Sequence, residues 1–424
     1  MRVLIVNTSE NVGGAAVAAN RLKEALNNNG IKAKMLVRDK QTDDITVAQL
    51  PQSWRQRWNF VWERFVVFIR LHFRRDNLFL IDIANAGTDI TRTREFREAD
   101  VIHLSWINQG MMSLGGIRKI LESHKPVVWT MHDLWPASSI CHYARDCRNF
   151  EKKCGNCPLL PGGGSKNDLS AKVWRRKRQL LSRHSILFVT CSRWLGDMAK
   201  KSGLLAGQKV ISIPNPIDTR VFKKENREEA RLRVGLPEGK RLILFVSQRV
   251  TDTRKGMEYF VAAINKLVEQ HPQMKEDTAV AILGGQAEEV AGMLPLQAYP
   301  IGFVNDEKKI AGIYNSVDLF VLPSLEDNLP NTIMEAMACG VPCVGFNTGG
   351  IPEMIDHMKN GYVAEYKNAD DLARGIHWAM DEADHRQLAD EAQRKVSACY
   401  SQYAVAMKYI EAYNQAMALK RYKL

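Results

Sequence analysis

Nowhere in these 424 residues do apolar side chains run uninterrupted for the roughly 20 positions that a membrane-spanning helix needs. Even the apolar stretch from Phe65 to Ile69 is bracketed by Arg64 and Arg70. The opening MRVLIVN reads as a strand, with no cleavable leader behind it. The expectation is a cytoplasmic chain, at most peripheral on the inner face of the membrane. Short-period repeats, a low-complexity tail and groove-binding or RNA-binding motifs are all missing, which argues against a nucleic-acid partner. Acidic side chains are in deficit, 47 against 59 lysines and arginines, leaving a net charge of +12. That surplus calls for an anionic partner such as a phosphate or an acidic membrane surface. Four of the eight cysteines fall between Cys141 and Cys157. In a reducing compartment that cluster is buried thiols or metal ligands, not disulfides.

What is present is an alternation of short β-rich runs with helical patterns. Strands are expected at 2–7, 33–38, 101–105, 127–131 and 186–192, then at 241–247, 279–285, 319–324 and 342–347. Near-continuous apolar strands separated by helices specify a parallel sheet covered on both faces. The pattern lapses around 205–240, where IPNPIDTRVF (213–222) suits a linker. The reading is α/β: two doubly wound, Rossmann-like domains, 1–210 and 211–390, facing an interdomain cleft.

Three stretches carry chemistry. After the first strand, Gly13 and Gly14 precede a helix, where backbone N–H groups can approach an anion; a tight turn without ligand explains them as well. In SLEDNLPNTIMEAMACGVPCVGFNTGGIPEMI (324–355), a helix starts near Asn331 and carries Glu335 in its first turns. A carboxylate there can accept two hydrogen bonds from a ribose diol while the helix N–H groups hold a phosphate. The plainer alternative is that Glu335 only complements the helix dipole. SQRVTDTRKGMEYF (247–260) offers Arg249, Arg254 and Lys255 beside Gly256. Fixed cations are what a pyrophosphate leaving group needs, although a solvated turn would look similar.

Together these stretches resemble the retaining glycosyltransferases of family 4, which have the GT-B fold. The family's Glu-x7-Glu motif reads Asp327-x7-Glu335 here, with Glu326 directly before the aspartate. Further matches are the GG pair, HLSW (103–106), TMHD (130–133), IPNPID (213–218), IGFVNDEKKIAGIYNSVDLFVLPS (301–324) and NTGGIPE (347–353). The resemblance implies a donor that is a UDP- or GDP-sugar, with Glu335 on the ribose. Arg249 and Lys255 would hold the diphosphate, assisted by Gly13, Gly14 and the N–H groups of Asn328, Leu329, Asn331 and Thr332. Asp327 and His132 would contact the transferred sugar, and the backbone at Gly302 and Phe303 the base. It implies no catalytic metal, because cations and a helix dipole take the metal's place. It also implies a saccharide or lipid-linked acceptor in bacterial surface-polysaccharide assembly, and a last helix (391–424) that crosses back to the first domain. Other readings are a GT-B phosphorylase or epimerase, or a membrane-associated scaffold without turnover. Nothing marks the pyridoxal-bearing lysine that a phosphorylase would need.

CHYARDCRNFEKKCGNCP places Cys141, Cys147, Cys154 and Cys157 within reach of one tetrahedral zinc ion, CGNC forming a C-x2-C knuckle. A structural zinc and a loop packed by reduced thiols both fit that spacing. The segment 53–75, SWRQRWNFVWERFVVFIRLHFRR, sets seven aromatic residues and six arginines around a single glutamate, Glu63. On a helix, Trp54, Trp58, Val61, Trp62, Phe65, Phe68 and Ile69 fall within an arc of about 120° without charge. Tryptophan and arginine flanking such a face suit an anionic membrane surface. Phe60, Val67 and Leu71 on the other side suit packing on the chain's own domain.

Overall fold

Apolar residues on both pleat faces of the central strands dictate sheets buried on both sides. The computed structural model describes residues 1–51, 54–249 and 252–421, and of Arg55, Arg249, Lys420 and Arg421 only the backbone. The chain divides into two units, 1–214 with 405–424, and 215–404.

Unit 1 contains strands β1 (Arg2–Ser9), β2 (Lys32–Asp39), β3 (Val47–Gln49), β4 (Val101–Leu104), β5 (Val127–Met131), β6 (Leu187–Thr190) and β7 (Lys209–Ser212). They form one parallel sheet in the order β3-β2-β1-β4-β5-β6-β7. Alternation along β1 splits the core: Val3 and Ile5 join one apolar cluster, Leu4 and Val6 the other. The first cluster takes Leu22 and Leu26 from helix Gly14–Asn28, and Tyr409 and Tyr413 from helix Gln402–Arg421. The second takes Ile117 and Ile120 from helix Leu114–Glu122.

Unit 2 contains β8 (Arg241–Arg249), β9 (Thr278–Gly285), β10 (Gln297–Gly302), β11 (Leu319–Leu322), β12 (Cys343–Phe346) and β13 (Gly361–Ala364). Their parallel order is β10-β9-β8-β11-β12-β13. Phe245, Ile282, Val321 and Phe346 pack against Phe260 and Ile264 of helix Met257–Gln270 and Leu372 of helix Ala369–His377.

In both sheets the strand order reverses once, between β1 and β4 and between β8 and β11. Loops diverge there and leave a crevice beyond the carboxyl ends of the strands, so these two points are where a ligand is expected. The span 205–240 is more than a linker: it contains β7 and the helix Arg227–Val234.

The aromatic segment forms a helix, Trp54–Arg70. Val67 and Leu71 are buried, with Phe60 and Phe68 half-buried, whereas Trp54, Trp58, Val61, Trp62, Phe65 and Ile69 are exposed. Packing on the chain's own domain thus holds for one face, while six residues of the expected apolar arc are exposed and the seventh, Phe68, is half-buried. Ser53 lies outside the described residues.

Candidate active site

At the switch point of unit 2, loops leave β8 and β11 side by side. After β8, Thr253–Lys255 makes a 3-10 turn whose N-cap Asp252 accepts the Arg254 N–H at 3.1 Å. Gly256 closes the turn at φ 71°, and a Cβ there would drive into the Pro323 carbonyl. After β11, Leu325 N–H donates to the Arg254 carbonyl at 2.7 Å, which fastens one loop to the other. Lys255 Nζ consequently sits 2.6 Å from Asp327 Oδ2. The NTGG stretch braces the same aspartate: Gly350 N–H donates to the Asp327 carbonyl at 3.1 Å, and Gly349 at φ 58° leaves room for it.

Helix Asn331–Ala338 follows, with Pro330 at its N-cap and no side chain capping it. Ile333 N–H donates to the Pro330 carbonyl at 3.2 Å, and the N-terminal end of such a helix suits an anion. Glu335, in the second turn, is buried and accepts from the Tyr314 hydroxyl at 3.1 Å. Burial, then the charge of Glu335, pushes the Tyr314 hydroxyl well above its ordinary pKa, so it stays a donor. Asn331 Oδ1 accepts from Asn215 Nδ2 at 3.0 Å. Asn328 and Leu329 are buried, Asn331 and Thr332 half-buried.

Other expected residues lie apart. Gly302 ends β10, two strands from β8, at φ 77°, and Phe303 beyond it is exposed. Arg254 turns to Asp252 at 2.8 Å. Arg249 ends β8 opposite Gly285, and its side chain lies outside the described residues.

Unit 1 builds a second cluster on the same principle. Gly13, at φ 89°, caps the helix that Gly14 begins. Trp106, after β4, donates its backbone N–H to Asn7 Oδ1 at 2.8 Å, tying the loop after β4 to β1 across the switch point. His132, after β5, has Nε2 3.0 Å from Ser105 Oγ and Nδ1 3.5 Å from Cys191 Sγ. Burial lowers its pKa to about 4, so the imidazole is neutral at neutral pH. Behind it, Asp133 accepts from Trp106 Nε1 at 2.9 Å and from the Trp135 N–H at 2.9 Å, and pairs with His142 Nδ1 at 2.7 Å. Burial would raise this carboxyl, but the charge and hydrogen bond of His142 outweigh it and hold the group below the usual range. The Trp106 ring stacks on His142, centroids 5.9 Å apart. His142 thus ties the cysteine-rich loop to the residue next to His132. Tyr314, Asp133 and His142 carry roles that motif reading did not assign, although the first two stand inside matched motifs.

In that loop Cys154 and Cys157 are buried, and burial raises both thiols to about 12. Cys141 and Cys147 lie near enough to act on them electrostatically, and all four are free thiols. Among the described residues no three His, Cys, Asp or Glu side chains are gathered to hold a metal ion. The zinc expectation rests on sequence spacing alone.

Residues 12–221 match the family model Glycosyltransferase Family 4, and residues 226–396 match Glycosyl transferases group 1. An uncharacterised glycosyltransferase of Methanocaldococcus jannaschii is 29% identical over 198 residues, 46% of this chain and 50% of that protein. The N-acetyl-alpha-D-glucosaminyl L-malate synthase of Bacillus anthracis is 28% identical over 212 residues, 48% of this chain and 53% of the synthase. The chain spans about half the length of these curated relatives. Among solved structures, the sucrose-phosphate synthase of Thermosynechococcus elongatus gives a TM-score of 0.68 at 17% identity, over 99% of this chain and 100% of that one. An Anabaena protein solved in complex with UDP and glucose gives 0.64 at 17% identity, over 98% and 100%. Likeness at such identity is likeness of fold, and it agrees with two parallel sheets that each reverse order once. With matches reaching from residue 12 to residue 396, the chain belongs to glycosyltransferase family 4 and has the GT-B fold.

Proposed function

We propose that this chain is a retaining, metal-independent glycosyltransferase. It moves a sugar from a UDP- or GDP-sugar to a saccharide or lipid-linked saccharide during assembly of a bacterial surface polysaccharide. It works peripherally at the cytoplasmic membrane, where the exposed aromatic helix face meets anionic lipid.

The observation that carries the reading is the Lys255–Asp327 pair, 2.6 Å apart at the switch point of unit 2, with Glu335 buried in the helix that follows. An arriving diphosphate takes Asp327's place on Lys255, and Arg249 supplies the second cation. Asp327, released, accepts from a hydroxyl of the transferred sugar. The N-terminal end of helix Asn331–Ala338 holds the phosphate oxygens, and Glu335, oriented by Tyr314, accepts from the ribose diol. Once the bond from anomeric carbon to phosphate oxygen breaks, those donors stabilise the charge on the leaving group. The departing phosphate takes the proton of the acceptor hydroxyl, which attacks the same face of the sugar. Neutral His132 hydrogen-bonds the sugar without bringing a competing charge. Positioning and electrostatics supply the acceleration, with no protein nucleophile. The Anabaena neighbour solved with UDP-glucose supports testing a UDP-sugar first.

The test is nucleotide release from UDP-sugars by the purified protein, with product configuration read by NMR. Glu335→Ala and Lys255→Ala should each lower turnover by about 100-fold or more while melting normally, the scale of losing one preorganised charge contact. Full turnover in both variants would remove this site assignment. An inverted anomer would remove the retaining mechanism. Absence of release with every donor would favour a scaffold.

A further inference from the structure

A cavity lies in unit 1 beside the loop that follows β4, whose Gln109 carbonyl accepts from Arg38 in the cavity wall. It has a volume of about 680 Å³, within the span of small-molecule sites, and opens between the carboxyl ends of β2 and β3 and the first turns of helix Trp54–Arg70. Six of its lining residues define its chemistry: Arg38, Asp39, Gln49, Trp54, Gln56 and Arg57.

Gln56 points to a ligand. The residue is only 6% exposed, yet its carboxamide makes no hydrogen bond among the described residues. Its carboxamide reaches solvent through the cavity it lines, where it offers a donor and an acceptor to a ligand. The cations are also unsaturated. Arg38 places Nε and Nη2 on Asp39, at 3.0 and 2.7 Å, and Nη1 on the Gln109 carbonyl at 2.5 Å. Two of its five N–H donors remain. Arg57 is exposed and pairs with no carboxylate among the described residues. Two guanidinium groups are suited to phosphate oxygens.

The remaining groups narrow the class. Asp39 is half exposed, and a carboxylate beside the cavity would repel a bare anion but accept from hydroxyls. Gln49 donates to the Arg38 carbonyl at 3.0 Å, which leaves its amide oxygen as another acceptor. Trp54, 73% exposed at the rim, begins the apolar face that continues through Trp58 and Val61. Cations, hydroxyl acceptors and an apolar rim in that order match phosphate, polyol and acyl chain.

We propose that this cavity receives the phosphate-and-hydroxyl headgroup of a membrane lipid, the chains lying along the exposed face of helix Trp54–Arg70. The inference deepens the membrane attachment already proposed and rests on it. General attraction of a basic protein to an acidic surface follows charge alone. A headgroup site discriminates at equal charge.

The experiment uses the full-length protein and phosphatidylcholine vesicles doped with either phosphatidylglycerol or oleate to the same surface potential. Wild type should prefer the phosphatidylglycerol vesicles by about tenfold, the worth of one good charge-assisted contact. Soluble sn-glycerol 1-phosphate should compete. Gln56→Leu, which leaves the charge unchanged, should abolish the preference while flotation persists, and Arg57→Gln gives an independent second reading. Equal binding to both vesicles, or an undiminished preference in both variants, overturns the proposal. If wild type floats on neither vesicle yet binds sn-glycerol 1-phosphate through Gln56, membrane attachment is wrong and a soluble phosphoester is the ligand. If it binds neither vesicle nor phosphoester, the pocket assignment falls.

Discussion

Glu63, the one acidic residue between Ser53 and Arg75, reads in sequence as a charge among six arginines. In the fold it faces inward. Its Oε1 accepts from the N–H groups of Ile83 and Ala84, at 3.1 and 2.7 Å, beside the fully buried Asp82. Asp82 in turn accepts from the Gln109 N–H at 2.7 Å and lies 3.4 Å from Arg64 Nη2. Two carboxyls in one dry site do not both ionise. Burial first, then the charge of Asp82, raises Glu63 from its ordinary 4.5 to about 9, so it is the neutral partner. Between those two values the folded chain holds one proton more than the unfolded chain. The group's contribution is therefore complete below the unfolded value and is lost as pH rises through the folded one. Glu63→Gln keeps an acceptor for the two N–H groups and removes the titration. The stability of the variant relative to wild type should rise by about 1.4 kcal/mol per pH unit across that window, read from urea unfolding at several pH values. A constant difference would show that Glu63 is ionised throughout. No local pattern announces this pair, because its partners are brought together by tertiary packing.

Among elements, legibility followed burial. The central strands β1, β4, β5, β8, β9, β11 and β12 are flanked on both sides, largely apolar and evident in sequence. The edge strands β3, β7, β10 and β13 were not expected. β7 and β10 are largely exposed, and a strand with one neighbour needs no apolar run on both faces. The active-site motifs were legible for the opposite reason: Gly256, Gly349 and Pro330 are fixed by local backbone geometry, which sequence records directly. The helix Trp54–Arg70 shows both kinds of signal. Its buried side follows from Val67 and Leu71, while its outer face, from Trp54 to Ile69, has no cover within the described residues. Under the proposed membrane attachment, the three tryptophans on that face, bordered by Arg57 and Arg70, would sit at the headgroup boundary. Replacing Trp54, Trp58 and Trp62 by serine should abolish flotation on anionic vesicles and leave the melting temperature nearly unchanged, since the lost area is already solvent-exposed. Flotation equal to wild type in the folded triple variant would contradict membrane attachment.

At the scale of the whole molecule, the chain leaves unit 1 at Pro214, completes unit 2, and returns to unit 1 at Val405. That return is structural. Val405, Ala406, Tyr409, Ala412, Tyr413 and Ala416 of helix Gln402–Arg421 complete the apolar cluster that contains Val3, Ile5 and Val128. Two hydroxyls of the same helix satisfy a buried polar knot. Tyr413 lies 2.8 Å from His103 Nδ1, whose Nε2 lies 2.7 Å from Thr130 Oγ1, and Tyr409 lies 3.0 Å from that same hydroxyl. His103 is lowered to about 3 by burial and then by His132, so it is neutral and needs a partner at each nitrogen. Removing the helix would leave that imidazole half-paired and uncover several core side chains at once. Each such loss costs on the order of 1–3 kcal/mol, and together they match the whole stability of an ordinary domain. Unit 2 is continuous in sequence and has its own core. The fragment 215–404 should therefore fold alone, with cooperative thermal unfolding by circular dichroism. A chain ended at Ala404 should show only that transition, its first 214 residues exchanging amide protons rapidly. If the shortened chain keeps two protected sheets, the last helix is ornamental to unit 1, and its tyrosine contacts contribute far less than their burial implies.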